Sequence, residues 1–155
     1  MTRLLLFVAV VLLSAQNVLA QSLASDIVSD PTTYIPMAVF YTSTRLDWNS
    51  SQPYFARGAT EVNPHFTRSG RPYSTPLSYG DGNALILRDA LQVGAMSLAN
   101  NLIMHVIERR FAAPEHATAW KRLGRVERVL VASALAFELS SRHFEQWQTN
   151  LGPPR

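Results

Sequence analysis

Proline divides this chain into two regimes. Six of its nine prolines (Pro31, Pro36, Pro53, Pro64, Pro72 and Pro76) fall between Asp30 and Gly80, and none lies between Pro76 and Pro114. Each fixes φ and withholds a backbone donor, so residues 21–82 read as turns and extended chain with room for one short helix. That helix would open at Pro36 and reach about Asn49, although Val39, Thr42, Ser43 and Thr44 also suit a strand. Nine aromatics, Trp48 and Phe66 among them, share the segment and read as a coat packed over helices.

Beyond Gly80 the spacing turns helical. Asn83 caps a helix from Ala84 to about Phe111. At 100° per residue, Leu91, Ala95, Leu98, Leu102, Ile103 and Val106 share a broad face, and Ser97, Asn101, His105 and Glu108 form a narrower stripe opposite. A helix apolar nearly all round calls for burial in protein or lipid. Pro114 opens a short helix to Leu123, Gly124 breaks it, and a last helix runs from about Arg125 to Trp147 with Glu138 and Arg142 as an i,i+4 pair. The expected fold is mainly α: an N-terminal signal helix, the aromatic and proline-rich segment, and two long antiparallel helices (84–111 and 125–147) with a short helix between. Residues 83–150 form the helical hairpin, and 21–150 together one domain.

The start supplies an address. Arg3 precedes ten consecutive apolar residues, Leu4 to Leu13, and Val18 and Ala20 sit at the small positions before a scissile bond, as in an export signal covering residues 1–20. Retained, Leu4 to Ala20 would be just long enough to span a bilayer. The chain has no cysteine, which excludes a disulfide framework, thiolate metal sites and cysteine nucleophiles. Its formal charge is +3, and +2 once Arg3 leaves; so weak a field on an exported chain argues against nucleic acid as a partner. Arg88, Asp89, Asn100, Asn101 and His105 interrupt the first long helix as a membrane span, and Glu127, Arg128 and Glu138 interrupt the second. The loop from Arg109 to Arg125 nevertheless holds five basic residues against one acidic, as a cytoplasmic loop does.

Few polar constellations could carry chemistry. His105 and Glu108 lie at i and i+3, one turn after Asn101, a spacing that can put an imidazole and a carboxylate on one metal. There is no second copy, and a simple His-Glu hydrogen bond explains the pair as well. No nucleophile elbow, zinc-protease motif or phosphate-cradling glycine loop is present, and no cofactor is implied.

The most particular stretch joins Leu46-Asp47-Trp48-Asn49-Ser50-Ser51 to Gly58-Ala59-Thr60-Glu61-Val62-Asn63-Pro64. An Asp with Ser a turn later, followed by Gly-x-x-Glu-x-Asn-Pro, resembles a pattern in small uncharacterised bacterial membrane proteins, where it lies on and just after a first membrane helix. The resemblance covers Tyr34 to Pro64 and implies no activity; it implies that Asp47, Glu61 and Asn63 form a polar cluster. Arg45, Asp47 and Pro53 make this segment more polar than a span of that family. Asn63 before Pro64 favours extended backbone with a side-chain-closed turn. Buried carboxylates at Asp47 and Glu61 would need donors, for which Arg45, Arg57 and Arg88 are the candidates.

The sequence thus reads as an exported bacterial envelope protein with a structural or interaction role and no catalysis. Its partners would be another envelope protein or the membrane surface, and a homo-oligomer is compatible with it. A second reading is a small integral membrane protein with Asp47, Glu61, Asp89, Asn101 and His105 facing inward. A third is a metal- or ligand-binding helical module on His105, Glu108 and Glu138.

Overall fold

A computed structural model describes residues 17–111 and 115–152. The leader core Leu4 to Leu13 and the helix-opening role of Pro114 lie outside them. Mainly α architecture is what the described residues show: four α-helices, α1 (Asn17–Ser29), α2 (Ile35–Phe55), α3 (Tyr79–Phe111) and α4 (Ala117–Leu151), with 3-10 turns at Pro31–Thr33 and Pro64–Phe66.

Helix takes more of the N-terminal half than its prolines suggest, because the prolines fall at helix ends. Pro31 opens a 3-10 turn capped by Asp30, Pro36 is the second residue of α2, and Pro53 sits in the last turn of α2. At a first turn the missing N–H costs nothing. The expected irregular segment 21–82 is therefore corrected: α1 covers its start, the Ala20–Gln21 bond included, and α2 runs 21 residues. What stays irregular is 56–78, where Gly58 at φ 90° turns the chain out of α2.

Two further boundaries move. α3 begins at Tyr79, ahead of Asn83, because the Ser78 hydroxyl accepts the Asp81 N–H at 3.1 Å and caps it. α4 passes straight through Gly124. The cost of a mid-helix glycine, about 1 kcal/mol, is accepted where a side chain would not fit: a Cβ on Gly124 would overlap the Glu108 carboxylate. The expected Glu138–Arg142 pair is not formed.

The chain divides into two compact units. One draws on Met1–Pro36 and Gly94–Ala134, with Leu23, Ile27 and Leu102 as its apolar core. The other comprises Met37–Val93 and Leu135–Arg155, cored by Trp48, Phe66 and Ile86. Trp48 stacks on Phe66 at 5.3 Å between centroids, and its indole lies where a Cβ on Gly82 would be.

α3 buries Ile86, Ala90, Val93 and Leu102 as a globular helix does, yet it departs from that arrangement elsewhere on its surface. Its polar stripe of Ser97, Asn101, His105 and Glu108 is buried, while Leu87, Leu91, Met96, Leu98 and Ile103 are exposed. Between Asp89 and Glu108 no Asp, Glu, Lys or Arg occurs, and α3 is long and apolar enough to cross a membrane. The expectation that Arg88 and Asp89 interrupt such a span fails because both lie N-terminal to this stretch.

Candidate functional site

Each unit gathers its own polar cluster. In the first unit the turn after α1 is held from three sides. Asp30 Oδ1 accepts the Thr32 N–H at 2.9 Å and the Thr32 hydroxyl at 2.6 Å, as an N-cap before proline does. The Asn101 amide donates to the Thr32 and Thr33 hydroxyls at 2.9 and 2.7 Å, and Ser97 donates to the Thr32 carbonyl at 2.6 Å. Arg128 of α4 closes the cluster, with Nε donating to Asp30 Oδ2 at 2.8 Å and Nη1 donating to Glu108 Oε1. His105 lies between the carboxylates, its Nδ1 3.5 Å from Glu108 Oε2 and its Nε2 3.7 Å from Asp30 Oδ2. Burial pushes the Asp30 carboxyl up, but the two Thr32 hydrogen bonds and the Arg128 guanidinium outweigh it and hold it below its ordinary range.

The second unit holds a cleft of about 590 Å³. Asp47 reaches it from the penultimate turns of α2 and His143 from α4; His143 Nδ1 donates to Asp47 Oδ2 at 2.7 Å. A donor facing a carboxylate fixes the proton on Nδ1. Glu61 arrives on the irregular segment, pinned by a two-residue antiparallel bridge in which Glu61 N–H donates to the Ser74 carbonyl at 2.9 Å and Ser74 N–H returns 3.2 Å. Its Oε1 accepts the Asn63 N–H at 2.7 Å, and Asn63 Oδ1 accepts the His65 N–H at 3.1 Å, closing the turn at Pro64. Burial pushes the Glu61 carboxyl above its ordinary value and the Asp47 charge adds to the rise, against the opposing Asn63 hydrogen bond. Asn150 donates to the Ser50 and Ser51 hydroxyls at 3.0 and 2.9 Å and its carbonyl accepts the Tyr54 hydroxyl, tying α2 to α4 at the rim.

The residues singled out by sequence therefore fall into three places. Asp47, Glu61 and Asn63 share the cleft; Asn101, His105 and Glu108 share the first unit's network. Arg88 and Asp89 belong to neither: Asp89 accepts from Arg88 at 3.2 Å and meets His65 Nε2 at 2.6 Å on the surface. The arginines expected to serve Asp47 and Glu61 go elsewhere. Arg45 bonds Asn83 and lies over the Tyr79 ring, Arg57 lies over Tyr54, and Arg88 stays on Asp89. No group of three or more His, Asp or Glu side chains is placed to hold a metal among the described residues, and Glu138 belongs to a different unit from His105 and Glu108. Sequence reasoning missed His143, Asp30 and Arg128. Asp30-Pro31-Thr32 does carry a local signal, a helix-cap aspartate before proline; His143 and Arg128 carry none, since His143 meets Asp47 96 residues away and Arg128 meets Asp30 98 and Glu108 20 residues away.

No family model, no curated protein and no solved structure matches this chain.

Proposed function

We propose that the chain is a small α-helical envelope protein that sits in the membrane through α3, with a structural or interaction role built on its inward polar clusters. The observation that carries this reading is that α3 buries its polar stripe while it exposes large apolar side chains. In water, Leu91, Met96, Leu98 and Ile103, each about half exposed, forgo on the order of 1 kcal/mol apiece of burial. In lipid the same four are solvated by hydrocarbon, and the polar stripe is where intramembrane polar groups belong: inside, paired with one another. A helix of 33 residues is about 50 Å long, more than the roughly 30 Å of a bilayer core. The apolar run Leu4 to Leu13 adds export to the address.

Fractionation of bacteria expressing a C-terminally tagged full chain tests it. The protein is expected to stay with the membrane pellet through an alkaline carbonate wash and to be released by detergent. Quantitative release into the carbonate supernatant overturns the membrane reading and returns the chain to a soluble envelope protein with an apolar face covered by another protein.

A further inference from the structure

The cleft of the second unit is rich in acceptors that its own residues leave unused. Asp47 gives one oxygen to His143 and Glu61 gives one to Asn63, yet a carboxylate offers about four lone-pair sites. His143, with its proton on Nδ1, turns Nε2 into a further acceptor when neutral. Thr44, 1% exposed, lines the same cleft with a hydroxyl that has no hydrogen-bond partner. A buried hydroxyl left unpaired costs free energy and can accept an N–H from outside the chain, while the Trp48 Nε1–H in the same cleft is also unpaired and calls for an acceptor on the same ligand. The wall behind them is aromatic, with Trp48 tilted on Phe55 at 5.6 Å and stacked on Phe66. Arg142 lines the cleft too but pairs with neither carboxylate; the acceptors of Asp47 and Glu61 and the aromatic surface suit an organic cation carrying N–H groups better than a metal ion, for which no ligand set is assembled among the described residues.

We propose that this cleft binds a small organic ligand through a primary ammonium group, received by Asp47, Glu61 and Thr44 with the ligand's carbon body against Trp48 and Phe66. The ammonium's three N–H donors match the three groups, and its charge relieves the repulsion between the carboxylates. The group has two sources in a cell envelope, a free amine or an ethanolamine lipid headgroup. The site stands on the second unit alone and does not depend on how α3 is solvated.

Calorimetric titration of the purified full chain tests the proposal, with ethanolamine and putrescine as free amines, choline as an ammonium without N–H, and nanodiscs of ethanolamine or choline phospholipid as headgroup sources. Binding of the primary amine is expected, and choline should bind at least about tenfold more weakly. Glu61→Gln and Asp47→Asn should each weaken binding by roughly tenfold to a hundredfold, the range for a hydrogen bond to a charged group. Glu145→Gln, which removes the same charge from an exposed position away from the cleft, should leave it unchanged. Binding of the free amines identifies a soluble ligand, and binding confined to ethanolamine nanodiscs identifies a lipid; either supports the site. Absence of binding from both sources overturns it, as does equal binding of choline. Asp47→Asn also removes the acceptor that anchors His143, so Glu61→Gln decides: amine affinity unchanged in that variant overturns the assignment even if Asp47→Asn fails to fold.

Discussion

Arg128→Met is the sharpest test of the network in the first unit. Methionine keeps most of the aliphatic stem, so little packing is lost and the change is mainly electrostatic. It removes the one guanidinium that contacts both Asp30 and Glu108. The side chains of Arg128, Glu108 and Asp30 are 7, 9 and 16% exposed, so water cannot replace it. Removing one partner of a buried ion pair costs about 3–5 kcal/mol. Asp30 is the most exposed of the three and keeps both Thr32 hydrogen bonds, which places the loss near the lower end, about 3 kcal/mol. For a chain of this length each kcal/mol moves the melting temperature by about 2–4 °C, so a drop of about 6–12 °C is expected in thermal circular-dichroism melts near neutral pH. The double variant Glu108→Gln/Arg128→Met removes one of the two stranded carboxylates and should melt above the single variant, a coupling readable from the double-mutant cycle. A single variant within about 2 °C of the parent would mean that the network carries no net stability.

Two other perturbations have a sign that distinguishes this structure from simpler expectations. Gly124→Ala on an ordinary helix would stabilise by about 1 kcal/mol; here the added Cβ displaces Glu108 from Arg128, so thermal melts should show a loss, and the loss should vanish when Arg128 is already methionine. Glu61→Gln works through protonation. The folded state raises this carboxyl above its unfolded value of about 4.5, so the folded chain holds the proton more tightly than the unfolded chain and the ionised form costs stability. Gln should therefore raise the melting temperature near neutral pH, with the gain declining as pH falls through the folded Glu61 pKa towards its unfolded value; a gain that grows on acidification has the wrong sign.

Local rules were readable from the sequence wherever the partner lies a few residues away. Asn63-Pro64 closes its own turn, and α3 ends at Phe111, where Arg109 and Arg110 complement the helix dipole. The prolines were misleading because their effect depends on register: at the second position of α2 or in its last turn they punctuate a helix instead of preventing it. Gly124 misled for a related reason, since a glycine kept for close approach looks, in one dimension, identical to one kept as a breaker. The partners of Asp47 and Asp30 were out of reach altogether. Arg45 and Arg57 are nearest in sequence to Asp47 and Glu61, but Arg45 goes to Asn83 and the Tyr79 ring and Arg57 to the Tyr54 ring, and the group that meets Asp47 comes from the far end of the chain.

The two clusters are built on opposite terms, and the contrast separates framework from site. In the first unit Arg128 bridges two carboxylates, Asn101 satisfies two hydroxyls, and the one buried side-chain polar atom without a hydrogen bond among the described residues, His105 Nε2, still faces Asp30 at 3.7 Å. Such a network fixes how the turn at 30–33 sits against α3, with its two carboxylates already paired to Arg128. In the second unit the charges are brought together on three different segments, α2, α4 and the 56–78 excursion, without a guanidinium to settle them, although Arg142 lines the same cleft and pairs with nothing among the described residues. Packing alone would not select that arrangement, because it leaves Glu61 held above its ordinary pKa and Thr44 unpaired. A chain that completes one buried polar network with arginine and leaves the other open is expected to lose stability when the first is mutated and binding when the second is, and that division is what the Arg128 and Glu61 variants measure side by side.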